Sequence, residues 1–171
     1  MKKYLEAGKI INKRGLRGEV KVESYCDSAS ILCSIGTLYY DEDGKRSVKV
    51  ICAKEYKGFA YLTLDGVKSA EDADLIRNKI LYADRNDIPI DEDSYFIDDL
   101  IGLSVIDADS GKCYGKVTDV FNRGASDIYT VTQNGKDYYL PAVDEFIVET
   151  DTQKGIFVRP IPGIFDDAEQ V

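Results

Sequence analysis

The chain has 171 residues and a formal net charge of -9, and its composition, 44% hydrophobic and 31% charged, is typical of a folded globular protein. It contains no histidine, which excludes Ser-His and Cys-His catalytic pairs, and its four cysteines form no CxxC zinc-binding pair. No apolar run reaches the roughly 18 residues that span a bilayer, and residues 1–10 lack the apolar core of a signal peptide, so we expect a cytoplasmic protein.

Apolar residues alternate along the first half of the chain, which predicts six β-strands: YLEAGKII, GEVKVESY, TLYYDEDG, RSVKVICAKEY, GFAYLTL and KILYAD. One segment, SAEDADLIRNK, has a helical pattern, with Ser69 as its N-cap and Asp72 three residues later. Six short strands and one short helix within about 85 residues predict a small closed β-barrel.

Residues 85–94, RNDIPIDEDS, interrupt the alternation with polar and acidic residues, and we predict an acidic linker there. Alternation then resumes in six further segments: LIGLSVID, YGKVTDVFN, SDIYTVTQ, DYYLPAV, EFIVETD and GIFVRPI. The sequence therefore predicts an all-β protein of two small β-barrel domains, residues 1–84 and 95–171, the second ending in a short tail.

Charge is divided unevenly between the two halves. Residues 1–83 carry 15 basic and 12 acidic residues, a net charge of +3, whereas residues 84–171 carry 7 and 19, a net charge of -12. Because electrostatic potentials decay over about 8 Å at physiological salt, surfaces of opposite sign indicate two different partners. Alternatively, the acidic residues serve only to keep the second half of the chain soluble, which would give the same net charge.

A cationic hairpin, INKRGLRGEVKV, lies near the start of this acidic chain. Gly15 and Gly18 bracket its bend, and we expect them to adopt torsions or close approaches that a side chain forbids. Four cations surround the bend: Lys13, Arg14, Arg17 and Lys21. These side chains suit RNA phosphates, although a solvated hairpin also carries charge, and the run contains no aromatic residues for stacking.

Two aromatic residues, Tyr95 and Phe96, directly follow the predicted linker and precede Asp98 and Asp99. The aromatic pair fits either packing between domains or docking of a partner. Paired carboxylates suit Mg²⁺ or acid-base chemistry, but neighbours in an extended chain point to opposite faces. We therefore predict no catalytic residue and no metal site here.

The later run YYLPAVDEFIVETD combines apolar and acidic positions. We interpret its apolar residues as mostly core: Tyr138, Leu140, Val143, Phe146 and Val148. Its acidic residues then add outward negative charge: Asp144, Glu145, Glu149 and Asp151. Such charge suits a basic protein partner.

Together these segments resemble the RimM family of ribosome maturation factors. The family's opening pattern, G-x-I-x-x-x-x-G-[LIV]-[KR]-G-E-[VL]-[KR]-V, is matched by Gly8, Ile10, Gly15, Leu16, Arg17, Gly18, Glu19, Val20, Lys21 and Val22. The second half resembles a PRC barrel through DLIGLSV, GKVTDVFNRGASDIYTV, YLPAVDEFIVETD and the closing GIF. Many members carry histidine where this chain has Arg14, and paired tyrosines where it has Tyr95 and Phe96.

The resemblance implies a non-enzymatic factor without cofactor that binds the head of the 30S subunit and supports 16S rRNA maturation. The first barrel, similar to those of translation factors, faces rRNA through Lys13, Arg14, Arg17 and Lys21. The PRC-like barrel binds a ribosomal protein of the S-nineteen family through Tyr95, Phe96, Asp98, Asp99, Asn122, Arg123, Asp144 and Glu145. We expect a monomer without a membrane partner. A generic PRC-barrel scaffold and a Mg²⁺-dependent RNA-processing hydrolase using Asp98 and Asp99 are the alternatives.

Overall fold

The computed structural model describes residues 1–91 and 94–166, and the chain divides into two compact units, Met1–Glu92 and Asp93–Val171. Residues 92–93 of the predicted linker and residues 167–171 of the predicted tail lie outside the described residues. The domain limits given above therefore stay a prediction. No helix in the described ranges is long and apolar enough to cross a lipid bilayer.

The first unit is built from six strands: β1 (Tyr4–Arg14), β2 (Glu19–Ser24), β3 (Thr37–Tyr39), β4 (Ser47–Tyr56), β5 (Phe59–Leu64) and β6 (Ile80–Asp84). They form a closed barrel in the order β1-β2-β5-β4-β3-β6, with β6 returning to pair with β1. Alternate side chains point inward and are fully or almost fully buried, among them Val20, Val22, Ala60, Leu62, Leu64 and Leu81. The predicted closed barrel is confirmed.

Within residues 1–91, two short α-helices accompany this barrel, where the sequence predicts one. The predicted helix α2 (Ala70–Leu75) begins at Ser69, and the Ser69 and Asp72 side chains form the expected capping box. The second helix lies between β2 and β3 and is α1 (Ala29–Ser34), which is capped by Ser28 and buries Leu32 in the barrel core. Both helices have six residues, but Ser28 is followed three residues later by Ile31 and not by an acidic residue, so no capping box reveals α1 in the sequence.

The second unit contains a helical turn and six strands: α3 (Ile97–Leu100), β7 (Ser104–Asp107), β8 (Cys113–Asn122), β9 (Asp127–Gln133), β10 (Lys136–Pro141), β11 (Ile147–Asp151) and β12 (Gly155–Val158). The strand order is β10-β9-β8-β7-β12-β11, and β7 and β12 are parallel. Its core includes Leu100, Val105, Val131, Leu140, Ile156 and Phe165. The predicted all-β class with two small domains is confirmed.

One predicted core residue of the second unit, Val148, is instead 49% exposed. Strand β11 pairs Ile147 with Val158 and Glu149 with Phe157, so the register shifts between the two pairs. A bulge of this kind inserts an extra residue and breaks the strict alternation on which the prediction depends. The prediction for Val148 is therefore wrong, whereas Tyr138 and Leu140 are buried as expected.

Asp107 organises the turn between β7 and β8. The Ser110 and Asp109 backbone N–H groups donate to its carboxylate at N···O distances of 2.7 and 3.0 Å, and the Tyr114 hydroxyl donates at 2.7 Å. These bonds, led by that from the Ser110 backbone, lower the pKa of Asp107 to about 2. The Tyr114 ring stacks on Phe165 with 4.3 Å between centroids, so Asp107 holds Tyr114 against Phe165, a buried core residue of the unit.

We predict that D107N removes a stabilisation that depends on pH. A carboxyl group whose pKa is lowered on folding stabilises the folded state above its unfolded pKa, and this stabilisation is lost as the pH falls through the folded pKa. The difference in unfolding free energy between the unmodified chain and D107N should therefore shrink as the pH falls from 3.8 to about 2. Urea unfolding at a series of pH values measures it, and a constant difference contradicts the prediction.

Candidate functional site

The bend between β1 and β2 depends on two glycines with left-handed torsions, φ +68° at Gly15 and +82° at Gly18. A Cβ at Gly18 would lie 2.4 Å from the carbonyl oxygen of Val67, whereas a Cβ at Gly15 would meet nothing within 4 Å. Gly18 therefore permits both a torsion and a close approach of two backbones. Between the glycines, Leu16 is 83% exposed at the tip of the bend.

Two of the four predicted RNA-binding cations pair with carboxylates of the same unit. The Lys13 ammonium forms an ion pair with Asp74 of α2, and Arg14 Nε lies 3.6 Å from a Glu19 oxygen. Glu19 also accepts Lys54 Nζ at 3.1 Å, so one carboxylate is shared by two cations. Because the cations of these surface pairs are 39–53% exposed, the pairs contribute little to stability and leave the cations accessible to phosphate.

The other two predicted cations, Arg17 and Lys21, differ in their surroundings. Arg17 is exposed at the bend. Lys21 Nζ lies 3.7 Å from the centroid of the Phe59 ring, and the Arg14 guanidinium carbon lies 4.5 Å from that of Tyr61. Both distances are typical of cation–π contacts. The structure thus places the hairpin cations beside aromatic rings that the sequence prediction omits.

These rings lie on the outward side of β4 and β5. The ladders align Lys21 of β2 with Tyr61 of β5 and Tyr61 with Lys54 of β4, while Tyr56 lies opposite Phe59. We call this set the outer aromatic face: Tyr56, Phe59, Tyr61, Arg14, Lys21 and Lys54. The segment GFAYLTL contains the missed signal, because burial of every second residue in a strand leaves its aromatic residues pointing outward.

In the second unit, Asn122 shapes the turn after β8. Its side-chain amide donates to Asp127 at 2.9 Å, and its carbonyl oxygen accepts from the Gly124 N–H at 2.6 Å. The Asp127 backbone carbonyl in turn accepts from the Ala142 N–H at 2.8 Å. The predicted residues Asn122 and Arg123 therefore lie close to the segment that carries the predicted acidic pair.

Asp144 and Glu145 form an exposed turn two residues after Ala142. We call it the acidic turn. Not all of the predicted outward charge is available for a partner. Asp151 accepts from the Gln153 and Lys154 N–H groups and pairs with the Lys154 ammonium at 3.0 Å, and these contacts lower the pKa of Asp151. Its charge is compensated within its own turn.

Tyr95 is exposed, and its hydroxyl donates to the Thr150 carbonyl of β11 at 3.1 Å, whereas Phe96 is half-buried. Asp98 and Asp99 lie in the helical turn α3, which corrects the prediction of an extended chain there. Neighbours in a helix do not face each other, so the two carboxylates do not converge. Among residues 1–91 and 94–166, no group of three or more Cys, Asp or Glu side chains could hold a metal ion.

Fold and surfaces together define a two-domain all-β protein with a cationic, aromatic face on one unit and an acidic turn on the other. The model of the RimM N-terminal domain matches residues 5–88, and that of the RimM PRC barrel domain matches residues 97–164. The chain belongs to the RimM family.

Two relatives are both named Ribosome maturation factor RimM. That of Clostridium botulinum (strain Langeland / NCTC 10281 / Type F) is 31% identical over 94% of this chain and 96% of its own length. That of Staphylococcus aureus (strain bovine RF122 / ET3-1) is 29% identical over 95% and 99%. Among solved structures, a RimM protein of Pseudomonas aeruginosa aligns with 25% identity over 92% of this chain and 98% of its own, with a TM-score of 0.46.

We predict that alanine is tolerated better at Gly15 than at Gly18. Gly15→Ala meets only the penalty of a left-handed torsion, about 1 kcal/mol. Gly18→Ala adds a clash with the Val67 carbonyl and should cost clearly more. Urea unfolding of both variants gives the comparison, and equal losses of unfolding free energy would contradict the close approach as the reason for Gly18.

Proposed function

We propose that this chain is a ribosome maturation factor that binds the head of the 30S subunit and promotes maturation of 16S rRNA. The observation that carries the proposal is the match of both family domains, in order, over residues 5–88 and 97–164. Two relatives that align with 94% or more of the chain carry the name Ribosome maturation factor RimM, which supports the same function.

The two units divide the binding in this proposal. The first, within residues 1–84, contacts rRNA phosphates through the hairpin cations Lys13, Arg14, Arg17 and Lys21. The second, within residues 95–171, binds a ribosomal protein of the S-nineteen family through the acidic turn, the neighbouring Asn122 and Arg123, and the segment with Tyr95, Phe96, Asp98 and Asp99. The net charges of +3 over residues 1–83 and -12 over residues 84–171 support this division, because ribosomal proteins are typically basic.

The mechanism requires no bond to be broken. A chain that holds one head protein and nearby rRNA at the same time raises the effective concentration of each for the other, and it then departs. We propose that it acts in this way as a cytoplasmic monomer, with residues 85–94 linking the two binding units. Free small subunits, rather than mature ribosomes, are the expected target in co-sedimentation, whereas a scaffold of another complex would sediment with neither.

We predict that replacing Arg14, Arg17 and Lys21 by alanine weakens binding to head-domain rRNA and reduces its salt dependence. Each neutralised phosphate on a single strand contributes about 0.7 to the slope of log affinity against log salt, so the slope should fall by about 2. Anisotropy titrations at several salt concentrations give both quantities.

A matched variant with Lys45, Arg46 and Lys49 replaced by alanine removes the same number of positive charges around the β3–β4 turn. This variant controls for the general effect of net charge, and it should keep most of the slope of log affinity against log salt. Equal losses in the two triple variants would contradict a specific role for the hairpin.

We predict that replacing Tyr95 and Phe96 by alanine lowers affinity for the ribosomal protein about tenfold or more, because buried aromatic residues commonly dominate protein interfaces. A pull-down with purified components measures the loss. Tyr139→Ala, which removes an exposed ring of β10, is the control. Tyr95→Phe keeps the ring but loses the bond to Thr150 and should retain most binding. If the double alanine variant keeps full affinity for the ribosomal protein, Tyr95 and Phe96 serve packing within the chain and not binding of the partner.

A further inference from the structure

The outer aromatic face has a composition that barrel stability does not require. The barrel core is complete on the inner side of β5, where Ala60, Leu62 and Leu64 are buried. On the outer side, Tyr56 is 52% exposed, and its ring lies 6.4 Å from that of Tyr61. Exposed tyrosine rings grouped on a strand surface are typical of binding sites, because each offers a flat apolar area with little loss of entropy.

A second aromatic pair of the same barrel provides a contrast. Tyr4 and Tyr39 lie 4.7 Å apart, and a Cβ at Gly44 would lie 2.1 Å from the Tyr4 ring. That ring is therefore packed against the chain, and Asp84 lies close to both Tyr39 and Lys3. The Tyr4 pair covers backbone and has one cation, Lys3, over the Tyr4 ring at 5.2 Å, whereas the outer aromatic face groups one exposed and two half-buried rings with three cations.

The cations of the outer aromatic face are arranged around its rings. Lys21 lies over Phe59 at 3.7 Å, and the flat Arg14 guanidinium lies over Tyr61 at 4.5 Å. Lys54 is aligned with Tyr61 on the other side, and Glu19 is shared between Arg14 and Lys54. Aromatic planes interleaved with cations on a β-barrel surface are the combination that single-stranded nucleic acids require.

We propose that the outer aromatic face binds unpaired nucleotides of RNA, with bases stacking on Tyr56, Phe59 and Tyr61 and phosphates contacting Arg14, Lys21 and Lys54. The inference rests on the proposed function and narrows its RNA ligand to single-stranded segments. A duplex hides its base faces and offers only phosphates, so it would contact the cations of the site but not the rings. An acidic peptide likewise uses the cations but lacks the bases that match the rings.

The test compares the full chain with Tyr56→Leu and with the double variant Tyr56→Leu/Tyr61→Leu. The probe is a fluorescein-labelled RNA strand of about 12 nucleotides, used alone and annealed to its complement. Loss of one stacked base should weaken single-strand binding about tenfold, while duplex binding and the salt slope stay unchanged, because stacking neutralises no phosphate.

Tyr25→Leu is the matched control, since Tyr25 is 46% exposed on the same unit but has Glu23 and Glu6 nearby. It should bind both probes as the unmodified chain does. Thermal unfolding verifies that each variant is folded. If the double variant does not fold, the single variant Tyr56→Leu still tests the inference.

The inference is overturned if the aromatic variants bind the single strand normally, or lose strand and duplex equally. The proposed function then stands or falls separately on subunit co-sedimentation and on the hairpin charge variants. Conversely, a selective loss of single-strand binding in the aromatic variants supports the stacking site, even if the chain fails to sediment with small subunits.

Discussion

Closure of the first barrel fixes the direction of its strand side chains, and the candidate RNA surface follows from that constraint. Val20, Val22, Ala60 and Leu62 fill the interior, so their neighbours along the strands must point outward. The β2–β5–β4 register then brings Lys21 and Tyr61 side by side although they lie far apart in sequence. Packing inside the barrel thus positions the surface outside it.

The hairpin carries charged side chains that can exchange partners on a backbone whose shape is fixed. Its cations are held by exposed ion pairs and ring contacts that water and phosphate can exchange at small cost. Its bend is held instead by the approach of Gly18 to the Val67 carbonyl, which admits no side chain. The surface can therefore adjust its charged groups to a ligand while the loop that carries them keeps its shape.

Strand alternation and the Ser69 capping box sufficed to predict most of the fold. The failures have local causes: α1 lacks the capping box that marks α2, a bulge turns Val148 outward, and α3 is a helical turn in a segment expected to be extended. For the site, the cations were evident from composition, but the ion pair between Lys13 and Asp74 and the rings beneath Arg14 and Lys21 depend on long-range register.

Strand order also decides when each unit can be completed during synthesis. The first barrel closes through β6, so every strand it needs has been made by Asp84. In the second unit, β7 pairs on one side with β12, which ends at Val158. Until that last strand leaves the ribosome, β7 keeps an unpaired edge, a site at which other chains can add. The first unit passes through a similar period, since β1 lacks a partner on one side until β6 is made, but only the C-terminal unit remains in that state almost to the end of translation.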